Sequence, residues 1–260
     1  MLDVHPVHEA VFTWKGFLFH IATIVVGLFI AVGLEQAVEY VHHHHQREQL
    51  EEQMRLVFSG DIDSDAQDLK RIAELRADLT SLRNDIDGRL HGKRNNAGLT
   101  PPANRITMVA LVVPSMAPYE AAKENGTVGL LPVERIRMYS HLYFEREVLL
   151  GAFREWRSAT TALADFTERF TDYPDDAQLG GSLVLPDMGA LKPTDLDEYL
   201  RLVATLIKRS DMAASFVNLY SGSCQAILDG VSDDATLLER GVHQRGQKAT
   251  PAGAPRQTDH

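Results

Sequence analysis

The chain has 260 residues, 44% of them apolar and 24% charged, which is the composition of a folded protein and excludes wholesale disorder. A formal net charge of −10, with no long Lys/Arg stripe, excludes a nucleic-acid binder, because a surface that reads phosphate backbones must be basic. The single cysteine, Cys224, excludes an internal disulfide framework and any CxxC site.

Residues 1–15 form an N-terminal tail. From Gly16 to Leu34 nineteen residues pass without Asp, Glu, Lys or Arg. As a helix they extend about 28 Å, close to the hydrocarbon thickness of a bilayer. Trp14 and Lys15 at one end and Glu35, Glu39 and Tyr40 at the other have the character of interfacial anchors. The alternative is an export signal cleaved near Ala31-Val32-Gly33. Against it stand Asp3 and Glu9 ahead of the apolar run, the length of that run, and the helical sequence that continues beyond it. An uncleaved transmembrane helix is the expectation. Lys15 before the span and Arg47 after it nearly balance, and the free amino terminus tips the count toward a cytoplasmic N-terminus and a body outside the cytoplasm.

Gly16, His20, Thr23, Gly27, Ala31 and Glu35 recur every three or four residues and so share one side of the span. Gly27-x-x-x-Ala31 is a small-xxx-small contact that lets two helices approach in lipid, so Gly16, His20, Thr23, Gly27 and Ala31 are the expected pairing face of a homo-oligomer. His20 lies about one turn inside the apolar run, within reach of headgroups or a neighbouring helix.

Four consecutive histidines, His42 to His45, follow the span. Glu39 and His43 are one turn apart, and His42 and His45 share another side. The candidate metal ligands are therefore Glu39, His42, His43 and His45, and the same run could titrate between pH 5 and 8 as a sensor. A stable zinc site needs three or four ligands, so a solvated juxtamembrane helix is the expected state and no cofactor is assigned.

Residues 35–92 are highly charged with helically spaced apolar positions: Leu50, Met54, Val57 and Ile62, then Leu69, Ile72, Leu75, Leu79, Leu82, Ile86 and Leu90. This narrow stripe suits a coiled-coil-like stalk or a helix that lies on a bundle. Ser59-Gly60-Asp61 is a weak point where a kink or break is expected, and without one the span and stalk form a single rod of about 110 Å. Residues 93–113 begin as a Gly/Asn/Pro loop and end in ITMVALVV, too short to span a bilayer, which reads as an extended buried segment or a short core helix. Residues 114–229 read as a small antiparallel helical bundle. PYEAAKENG gives a short helix closed by Gly126, and Pro132 starts a long helix that carries Ile136, Tyr139, Tyr143, Leu149, Phe153, Trp156, Leu163, Phe166 and Phe170 to about Asp172.

The connection from Tyr173 to Pro193 is rich in Gly, Pro and Asp and contains the extended patch SLVLP. Thr194, with Asp195 and Asp197 behind it, is the predicted cap of a second long helix bearing Leu200, Val203, Ile207, Ala214, Val217, Tyr220, Cys224 and Ile227. Cys224 on that stripe is an inert core thiol. Residues 230–260 lack apolar periodicity and read as a disordered tail. The fold class is all-α: a transmembrane helix, a stalk and a bundle.

The chain carries no HExxH, GxSxG, GxxxxGK[ST] or GxGxxG. Outside the run of four, the histidines are scattered (His5, His8, His20, His91, His141, His243 and His260), and only His141 falls mid-helix in the body. The expectation is a non-enzymatic protein that acts through a lipid bilayer, self-association and an unknown protein partner. The alternative is a metal- or pH-responsive sensor built on the Glu39/histidine cluster.

Two stretches, HIATIVVGLFIAVGLEQAVEYVHHHHQREQLEEQMR and YEAAKENGTVGLLPVERIRMYSHLY, together about a quarter of the chain, resemble a set of uncharacterised bacterial single-pass membrane proteins. Those share an N-terminal IATI…GL…GLEQ…E…HH span and a later aromatic-E/D-A-A-K-x-x-G block. The resemblance implies an uncleaved span in a bacterial inner membrane, and carries over no activity, ligand or catalytic residue.

Overall fold

A computed structural model of the chain describes residues 14–91, 105–171 and 182–231. The expectations for most of the N-terminal tail, the Gly/Asn/Pro loop, residues 173–181 of the Tyr173–Pro193 connection and nearly all of the C-terminal tail lie outside the described residues. The protein is all-α. Helix α1 runs from Trp14 to His91, followed by strand β1 (Arg105–Thr107), helix α2 (Ala117–Glu124), a 3-10 turn (Thr127–Leu130), helix α3 (Val133–Glu168), strand β2 (Ser182–Val184) and helix α4 (Pro193–Leu228).

The expected break at Ser59-Gly60-Asp61 is absent: α1 continues through it. Gly60 is exposed, nothing lies within 4 Å of the position a Cβ would take, and a lone helical glycine costs only about 1 kcal/mol against alanine. At ~1.5 Å per residue, the 78 residues of α1 form one rod of roughly 117 Å.

Of the two readings of the stalk stripe, the helix that lies on a bundle is the one found, so the bundle begins within residues 35–92. From Leu50 to Ile86, α1 is not a spacer but the first long helix of the bundle, with Leu50, Met54, Phe58, Ile72, Leu75, Leu79, Leu82 and Ile86 buried. Helix α4 is antiparallel to α1, as Tyr220 meets Asp61 and Arg76 meets Asp211. It is antiparallel to α3 as well, where the Trp156 indole N–H donates to Ser210 in the buried interface and Arg169 meets Glu198. Helices α1 and α3 therefore run in the same direction. This order requires the chain to return from the far end of α1 to the start of α3, and the segment 105–132 makes that return.

The return begins at a two-stranded antiparallel sheet, with Arg105 opposite Val184 and Thr107 opposite Ser182, so both extended patches pair with each other. Residues 108–116 then follow as an extended strap. The apolar patch ITMVALVV is thus extended rather than helical. Helix α2 ends as anticipated, with Asn125 as its cap and Gly126 at φ 82°. Helix α4 starts one residue before the expected cap, at Pro193, where a missing N–H is harmless, and Asp195 Oδ2 accepts the Lys192 N–H. Its far end closes on Gly230 at φ 89°, with the Val231 N–H donating to the Ala226 carbonyl and the Val231 side chain buried.

The buried side chains form two clusters stacked along the bundle. One gathers Met54, Phe58, Met116, Tyr139, Val217 and Tyr220, and the other Leu79, Leu82, Trp156, Phe166, Tyr199 and Leu206. Leu79→Ala should cost about 2–5 kcal/mol in chemical denaturation, because a fully buried side chain leaves a cavity. Gly60→Ala should instead stabilise the protein by about 0.5–1 kcal/mol, and a loss of stability on that substitution would show that α1 is kinked there.

Candidate functional site: a buried carboxylate row under an extended strap

The buried face of α1 advances in alternating steps of four and three residues: Met54, Phe58, Asp61, Asp65, Asp68, Ile72, Leu75, Leu79, Leu82, Ile86. Three successive positions of this otherwise apolar seam are aspartates. Asp65 and Asp68 are buried, at 2% and 0% exposure, and Asp61 is half-buried. Carboxylates at such depth are costly unless something donates to them.

The donors come largely from the strap. Asp68 Oδ2 accepts the Val112 N–H at 2.7 Å, and Asp61 Oδ1 accepts the Ser115 N–H at 3.4 Å. The geometry matches: seven residues of helix advance about 10.5 Å, and three residues of extended chain cover about 10 Å. The strap carbonyls are held from both sides. Arg71 of α1 donates to the Ala110 carbonyl at 3.5 Å, and Arg146 of α3 donates to the Pro114 carbonyl at 2.8 Å. Side chains thus replace the neighbouring strand that residues 108–115 lack, and the strap lies between α1 and α3. From α4, Tyr220 donates its hydroxyl to Asp61 Oδ2 at 2.9 Å.

Asp65 is the exception. Its Oδ2 is buried and has no hydrogen-bond partner among the described residues. The strap residues between the two donors are Val113 and Pro114, and Pro114 has no N–H to give. Burial, with the neighbouring charges of Asp61 and Asp68, pushes the Asp65 carboxyl up to about 8. Burial also raises Asp61 and Asp68, opposed at Asp61 by the Tyr220 and Ser115 donors and at Asp68 by Val112 and Arg71.

Around the row stand Met116, whose sulfur is 3.8 Å from the Tyr220 hydroxyl, and Cys224. Burial and the nearby acidic groups raise the Cys224 thiol well above its ordinary range, in keeping with an inert core position. On α3, His141 lies 3.2 Å from Glu145, which agrees with a structural histidine.

The residues singled out in the sequence lie elsewhere, on the part of α1 that leaves the bundle. Gly16, His20, Thr23, Gly27 and Ala31 are exposed along one side of the apolar stretch, and the Thr23 hydroxyl donates to the Phe19 carbonyl one turn back. The apolar stretch itself is long and hydrophobic enough to cross a membrane, and none of it is buried against the protein. The histidines do not converge. His43 is 3.9 Å from Glu39, His44 is 3.2 Å from Glu48, and His42 and His45 pair with Gln46 and Gln49, all within α1. No group of three or more His, Cys, Asp or Glu among the described residues is disposed to hold a metal ion. Comparisons with protein families, curated proteins and solved structures return no match to the chain.

The sign of the pH dependence follows from Asp65. Its native value near 8 exceeds its ordinary 3.8, so the folded state keeps a proton that the unfolded chain releases across that window. This contribution to stability is complete below about pH 4 and is lost as pH rises through 8. Asp65→Asn should therefore stabilise the protein at pH 8 and above, by a few kcal/mol in order of magnitude, with the gain shrinking toward pH 4. Denaturation curves at the two pH values check this. An equal effect at both would mean that the Asp65 proton is not linked to folding.

Proposed function

We propose that the protein is a non-enzymatic, single-pass anchor of a bacterial inner membrane, self-associated through its span, whose helical body meets a protein partner outside the cytoplasm. The observation that carries this reading is the continuity of α1. One unbroken helix is exposed on every side over its apolar stretch and becomes a core member of the bundle from Leu50 onward. Exposed Phe17, Phe19, Leu28, Phe29 and Ile30 would be unfavourable in water and are at home in lipid.

Pairing finds support beyond the small residues of the span. In the same steps of four and three, the Gly27–Ala31 side continues through Leu34, Val38, Val41 and His45, and reaches Leu56 after three further steps. Leu34, Val38, Val41 and Leu56 are all exposed, at 63–71%. At about 100° per residue this side lies opposite the Met54–Phe58 core face, so a second copy can pair along it without disturbing the bundle. Residues 35–45 are helical and, His43 apart, exposed on every side, a length that is marginal for an isolated helix in water.

Gly27→Leu should abolish crosslinking between copies in membranes while leaving full-length protein in the membrane fraction. Crosslinking that persists unchanged would remove the pairing face from the account. A C-terminal reporter that is active only after export should be active. Silence, with intact fusion in the membrane, would put the body in the cytoplasm.

A further inference from the structure

We propose that the strap 108–116 is a proton-controlled latch on α1: it is seated while Asp65 carries a proton, and is released from the groove between α1 and α3 when that proton leaves. The inference concerns the bundle alone and stands independently of how the span associates.

The geometry sets the logic. Asp61, Asp65 and Asp68 occupy two turns of one helix face, and the strap is fastened to the outer two. Asp65 between them offers a buried oxygen to which nothing donates among the described residues. A protonated carboxyl tolerates that position. An ionised one places an unpaired charge in a closed interface between two acceptors that are themselves negative when they hold the strap. The charges that act on it are of the same sign, Asp61 and Asp68 on α1. From α4 the neutral Cys224 lies between the influence of Asp65 and that of Glu145 on α3, which His141 partners, and Tyr220 is bonded to Asp61. The two cations nearby are committed elsewhere. Arg71 bonds Asp68 and Ala110, and Arg146 bonds Pro114, Glu120 and Glu147. The strap itself carries no charged side chain.

Of the elements packed on this face, the strap is the least secured. Among the described residues it shares no backbone ladder after Thr107, and Val112 and Val113 are about half exposed, whereas Pro114 and Met116 at its far end are buried and anchor it there. Helix α4, by contrast, lines both buried clusters along its whole length. Repulsion at Asp65 is therefore relieved by lifting the strap, which admits water to the row and leaves the helices in place. Release uncovers the α1–α3 groove and unfastens a return segment of the chain on the helix that continues into the apolar stretch.

Hydrogen–deuterium exchange of the full-length protein in detergent, corrected for the intrinsic pH dependence of exchange, tests the latch. Between pH 6.5 and 9.5, protection of 108–116 should fall by about tenfold or more while that of 203–217 in α4 holds. Asp65→Asn and Asp65→Ser should each keep the strap protected across the range, and Asp63→Asn, on the exposed side of α1, should behave as the natural sequence does. Two substitutions of different size guard against a single misfolded variant. A flat profile in the natural sequence, or loss of protection in the Asp65 variants that parallels it, would overturn the proposal.

Discussion

An extended segment that crosses a helical bundle must find partners for backbone groups that no neighbouring strand will satisfy, and this constraint organises the body of the protein. The parallel course of α1 and α3 forces a long return connection, and that connection runs between them. A seam that is otherwise Met, Phe, Ile and Leu changes to aspartate where the strap passes. Asp61 and Asp68 exchange hydration for strap amides, while Arg71 and Arg146 take two strap carbonyls. Each such bond contributes only about 0.5–3 kcal/mol net, but leaving the groups unmade inside the bundle would cost more. Asp65, beside Pro114, is the one position where the arrangement fails to supply a donor, and there the proton itself serves as the neutralising partner.

The continuity of α1 gives this local chemistry a wider reach. The helix is at once the apolar stretch, the juxtamembrane segment with its histidines, and the wall against which α4 and the strap pack. Two opposite sides of it have separate tasks in this account. The core side, from Met54 through Ile86, folds the bundle, and the side from Gly27 to Leu56 is exposed, as the proposed pairing requires. A change in the strap bears on the helix that continues into the apolar stretch, and Gly60, between that stretch and the carboxylate row, lies within unbroken helix.

The sequence made the helices legible where apolar spacing was unbroken: the nineteen uncharged residues of the apolar stretch, the Trp156–Phe166 stripe of α3 and the Val203–Ile227 stripe of α4 all fall on the elements expected. It misled where burial and polarity part company. Asp61, Asp65 and Asp68 keep the four–three spacing of their neighbours, and that spacing was the available signal. Their charge masks it, and the apolar stripe includes Val57, Ile62 and Leu69, which only flank the seam. Ser59-Gly60-Asp61 looked like a break because local propensity favours one. Packing of Phe58 and the Asp61–Tyr220 bond outweigh it. For the stalk two readings stay open in the sequence, because a narrow apolar stripe does not say whether it meets a second copy or the rest of its own chain.

The central claim is that Asp65 is buried in its protonated form. A carbon-13 titration of the aspartate carboxyl carbons in the full-length protein, with Asp65 assigned through the spectrum of Asp65→Asn, measures it directly. The account predicts that this carboxyl titrates near pH 8, apart from the exposed aspartates. Titration near pH 4 with the rest would mean that the carboxylate is solvated or paired in the native protein, and would contradict the account.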